Sequence, residues 1–199
     1  MKYINEAKRF QQLAGIITEV ENTDPTAERD AEQGLKSALN ILKSGADTVK
    51  PSSKDGKVDE AAGLVLGLVA GAPGLISLAG KAVDGIASIF QKDKKQGTVV
   101  GNALKHWGHK LEDAYIEAIG TIILKAFPKK FTGQSVHDKS SQLYDAAHSI
   151  YAAILVAAAV SSGMGAVDAH SLIAKGLEGG LSAFKASEVA TLAQKIAAA

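Results

Sequence analysis

Apolar positions along this chain recur at three- and four-residue steps, and no segment shows the alternation of a strand, so the pattern predicts helices throughout. In the first stretch Tyr3, Ala7, Phe10, Leu13, Ala14 and Ile17 share one helical face, with Lys2, Glu6, Lys8 and Arg9 elsewhere. A second helix is predicted to start at Thr23-Asp24-Pro25. Asp24 can accept bonds from orphan amides, Pro25 suits the first helical position, and Glu28 and Asp30 complement the dipole. Its apolar stripe is Ala31, Leu35, Ala38, Leu39 and Leu42, and Gly45 is the expected stop. The stretch VKPSSKDGKVD, Val49 to Asp59, reads as an exposed linker.

Beyond the linker the pattern changes. Ala61 to Gly80 carries no charge in 20 residues, which meets the crude length criterion for crossing a bilayer. Pro73, in the middle of GAPG, predicts instead a hairpin of two shorter helices, Asp59 to Gly71 and Gly74 to Phe90. Gly63, Gly67 and Gly71 fall four apart on one face, where they let another helix approach closely. After a solvated turn, Gln91 to Gly97, a helix is expected from about Thr98 to Phe127, ended by Pro128. The next starts between Ser135 and Ser141, and its part from His148 to Val167 again lacks Asp, Glu, Lys and Arg. Gly163 and Gly165 weaken its end, and an amphipathic pair, Val167 to Leu177 and Ser182 to Ala197, closes the chain. The expected fold is an all-α, compact helical bundle with Gly/Ala-rich central helices. Its parts are an N-terminal segment 1–22, a peripheral helix 23–50, a linker 51–60 and a core domain 61–199.

Composition narrows the function classes. Lys and Arg number 22 against 21 Asp and Glu, so the formal charge is +1 and no general field draws nucleic acid or an anionic membrane. Only Arg9 and Arg29 offer the bidentate fork, which argues against sequence-specific nucleic-acid binding. The absence of cysteine excludes disulfide scaffolds, thiolate zinc sites and cysteine nucleophiles, and leaves the compartment open. Aromatic residues are only 5% of the chain, so alanine and glycine carry much of the core and bury less area per residue.

Candidate chemistry is sparse. His106, His109 and Glu112 are spaced three apart, so one helix face could present two imidazoles and a carboxylate; zinc-hydrolase helices space their histidines four apart with a glutamate between, and this one does not. A solvated helix face is the plainer reading, and no metal or cofactor is expected. Asp168 and His170 point in different directions on a helix, and Glu112-Asp113 reads as a surface pair. GMGAVD lacks the third glycine and the preceding strand of a dinucleotide fingerprint. No enzyme is predicted.

The N-terminal residues carry one resemblance. Met1-Lys2, Glu6-Ala7, Lys8 to Ile16 (KRFQQLAGI) and Ile17-Thr18-Glu19 are similar to the opening segment of virion and internal head proteins of T-even-type tailed phages and their marine relatives. It covers about the first 20 residues. In that family the peptide is a capsid-targeting address, cut after the glutamate of a Leu/Ile-x-Glu motif. The resemblance implies recognition of Ile17 and Glu19, scission between Glu19 and Val20, and capsid or scaffold proteins as partners. Family peptides often carry a longer polar spacer than this one. The resulting expectation is a non-enzymatic virion protein, structural or internal to the head. The alternative is a membrane-active helical hairpin acting in genome entry or lysis, located at the host inner membrane.

Overall fold

The computed structural model describes residues 25–52, 64–90, 104–177, 180–181 and 183–199. Among them the chain is all-α, with seven helices packed on each other and no strand. These are α1 (Pro25–Gly45), α2 (Leu64–Gly71), α3 (Pro73–Phe90), α4 (His109–Ala126), α5 (Gln142–Ser161), α6 (Ala166–Gly176) and α7 (Ala183–Ala197). A 3₁₀ turn, Ala46–Thr48, follows α1, and a π-helical turn, Leu104–Gly108, leads into α4.

The breaks have local causes. Pro73 has no amide hydrogen to give an intrahelical bond, so it opens α3 where that hydrogen would be unsatisfied anyway. Ala72 joins the two helices, its amide donating to Leu68 O at 3.0 Å and its carbonyl accepting from Leu75 N at 2.9 Å. The expected break at Pro73, between two shorter helices, is thus present, with residues 59–63 outside the described part. α4 ends at Ala126, two residues before Pro128, and the Ala126 carbonyl accepts from Ser52 N at 2.7 Å. α5 begins at the Ser141 cap, whose Oγ accepts from Tyr144 N at 3.0 Å. It ends at Gly163, where φ is +102°: Met164 N bonds Ala159 O and Gly163 N bonds Val160 O, which satisfies two orphan carbonyls through a left-handed residue.

Gly45 works differently from the expected stop. It stays right-handed, with φ −74° and ψ −17°, and the chain winds on into the 3₁₀ turn. A Cβ there would collide with Leu78 Cδ2, so the missing side chain lets α1 and α3 close on each other. The whole predicted stripe of α1 is buried, and it joins the same core as the later helices.

α5 is the central wall of the bundle. It packs against α2, α3, α4, α6 and α7, and every residue from Ala146 to Ala159 is buried. Ala152, Ala153, Ala158 and Ala159 are fully enclosed, so four small side chains set how near the neighbours come. α5 is long and apolar enough to cross a membrane, with mean hydropathy 1.5, and 83% of that apolar window lies inside the bundle.

Candidate functional site

The polar centre of the molecule lies between α4 and α5. Glu112, one turn into α4, is 4% exposed. Its Oε1 accepts from His148 Nε2 of α5 at 3.0 Å, and its Oε2 accepts from His109 Nδ1 at 3.3 Å. His148 is itself buried and stacked on Tyr144, ring centroids 5.7 Å apart. A carboxylate and an imidazole taken this far from water need each other, since an unpaired buried charge or polar atom costs more than the pair gains.

Two buried phenols extend this centre. Tyr151 donates to the carbonyl of Gly108, in the π turn, and Tyr115 donates to Leu35 O of α1 at 2.6 Å. Their rings lie 4.8 Å apart. Burial pushes the Tyr115 hydroxyl well above the usual phenol range. Burial does the same to Tyr151, reinforced by the neighbouring Tyr115 and Glu112, since a second negative charge beside them is disfavoured. Four polar side chains therefore tie α1, the π turn, α4 and α5 together. The carboxylate–imidazole pair can hold a proton, but its burial closes it to a substrate, so its visible role is to fix two helices in register.

The residues expected on one face have different partners. His106 is exposed and meets Lys110 Nζ at 2.9 Å, away from Glu112, while Lys110 also lies 4.6 Å over the Trp107 ring. Among the described residues no three His, Asp or Glu side chains are grouped to hold a metal ion; the two imidazoles near Glu112 bond different oxygens. Asp168 is exposed and His170 half-buried on α6. Of the packing glycines, Gly71 faces the Phe127 ring, where a Cβ would lie 3.0 Å from Cζ, and Gly67 is half-buried. Gly63, and the cleavage candidates Ile17, Glu19 and Val20, lie outside the described residues.

His148 is the residue that sequence reasoning missed. Its signal was present: a lone imidazole opening an uncharged run, on a helix buried all round, requires a polar partner from another helix.

A second feature lies between α5, α6 and α7. A cavity of about 350 Å³ is walled by Val156, Val160, Ala190 and Ala193, with His170 and Gln194 supplying polar side chains. His170 Nε2 is buried without a hydrogen-bond partner. Comparison with protein-family models, with curated proteins and with solved structures found no match.

Proposed function

We propose that this chain is a non-enzymatic virion protein of a tailed phage, structural or internal to the head, with an N-terminal address for the assembling capsid. The single observation that carries the reading is the N-terminal run KRFQQLAGI followed by Ile17-Thr18-Glu19. An apolar subsite would take Ile17, a basic one Glu19, and the chain would be cut before Val20. Thr23-Asp24-Pro25 suits such a junction, because the residue before a proline is pushed out of the helical region.

Mass spectrometry of purified particles tests the proposal. The protein should be found in them with Val20 as its first residue; absence from particles refutes it, and an intact Met1 there refutes the processing step alone.

A further inference from the structure

We propose that the cavity between α5, α6 and α7 is a binding site for a small, neutral, largely apolar molecule bearing one hydroxyl group. Its volume, about 350 Å³, falls within the roughly 300–1,000 Å³ typical of small-molecule sites. Alanines and valines form its walls, and no Asp, Glu, Lys or Arg lines it. A charged group seated against these walls would find no counter-ion there, a cost that a neutral one avoids.

The hydroxyl follows from His170. Its ring lines the cavity, and its Nε2 is covered by protein atoms with no partner. The torsion about the Cβ–Cγ bond of histidine is broad, and the proposed site requires the ring to turn so that this nitrogen reaches the cavity wall. There it can accept from a hydroxyl group or donate to it, whichever tautomer is present. Gln194, exposed at the rim, offers a carboxamide beside it. The only large hydrophobic residues exposed among those described also mark this end of the bundle. Val160, 38% exposed, lines the cavity, and Val167, 82% exposed, follows the lining residue Ala166.

The test uses the full chain and three probes of one shape: 4-ethylphenol, ethylbenzene and 4-ethylbenzoate, followed by amide chemical shifts. The phenol should bind with Kd below about 1 mM and shift amides in 156–160, 169–173 and 190–198. It should bind at least about fivefold more tightly than either of the others, the worth of roughly one hydrogen bond. His170→Phe should bring the phenol and ethylbenzene within about twofold of each other. Ala190→Trp or Ala197→Trp, both at exposed lining positions, should close the mouth and abolish binding with the helical circular dichroism unchanged. Equal binding of the three probes, shifts elsewhere in the molecule, no binding up to about 5 mM, or binding that survives both tryptophan variants overturns the proposal.

Discussion

His148 of α5 and Glu112 of α4 meet at 3.0 Å with 5% of either side chain exposed, and they are 36 residues apart in the chain. The pair is a long-range contact made where water cannot compensate for its loss. Glu112→Leu should cost about 3 kcal/mol, because it leaves the imidazole buried without its partner. Glu112→Gln keeps an acceptor oxygen and should cost about 1 kcal/mol. Urea denaturation of Glu112→Leu, of His148→Leu and of the double variant gives the coupling; about 1–3 kcal/mol is expected, and zero would show that the two residues act independently.

Tyr115 and Tyr151 should stay protonated where an exposed phenol ionises. Their folded pKa values are raised above the unfolded value, so their contribution to stability is fully present below about pH 10 and is lost as pH rises beyond it. Phenolate absorbance should report them only together with alkaline unfolding. Tyr115→Phe removes the bond to Leu35 O and should cost about 1–2 kcal/mol in urea denaturation at pH 7.

Glu188 on α7 has a consequence of the same sign at lower pH. Burial raises its pKa, partly offset by Lys185. Its folded state thus favours the protonated carboxyl, and the associated stability, complete below the unfolded pKa, declines as pH rises through the folded one. Glu188→Gln should raise the thermal midpoint at pH 7 and raise it less at pH 4. An equal gain at both values would rule out this origin.

Gly163→Ala should destabilise the turn between α5 and α6 by about 1 kcal/mol or more, because φ of +102° strains any residue with a Cβ. Thermal unfolding of the variant beside the parent chain is sufficient, and a neutral result would mean the turn has another conformation.

The membrane-active alternative makes a distinct prediction. Since the apolar surface of α5 is already engaged inside the bundle, the chain should not float with liposomes or release a trapped dye. Flotation would show that the bundle opens and would favour the alternative.

Much of the architecture could be read from local signals. Pro73 and Pro128 punctuate helices for reasons internal to the backbone, and the α1 stripe from Ala31 to Leu42 follows from periodicity alone. The polar centre could not be read this way. The π turn at Leu104–Gly108 lies inside a segment whose pattern suits a continuous helix, and its His106 meets Lys110 rather than Glu112. Pairing of Glu112 with His148 depends on the packing of two helices, which no spacing within either one reveals. Gly45 illustrates the same limit: a glycine at a helix end suggests a left-handed cap, whereas its place opposite Leu78 explains it.

The enclosure of α5 also sets an order of opening. A helix walled in by five others can exchange its amide hydrogens only when those neighbours have separated, so Ala152 to Ala159 should be the slowest-exchanging stretch. The outer helices can breathe singly, but α5 is released only when the bundle as a whole gives way. Any event that must expose it, whether passage through a narrow portal or insertion into a bilayer, therefore requires global unfolding rather than a hinge.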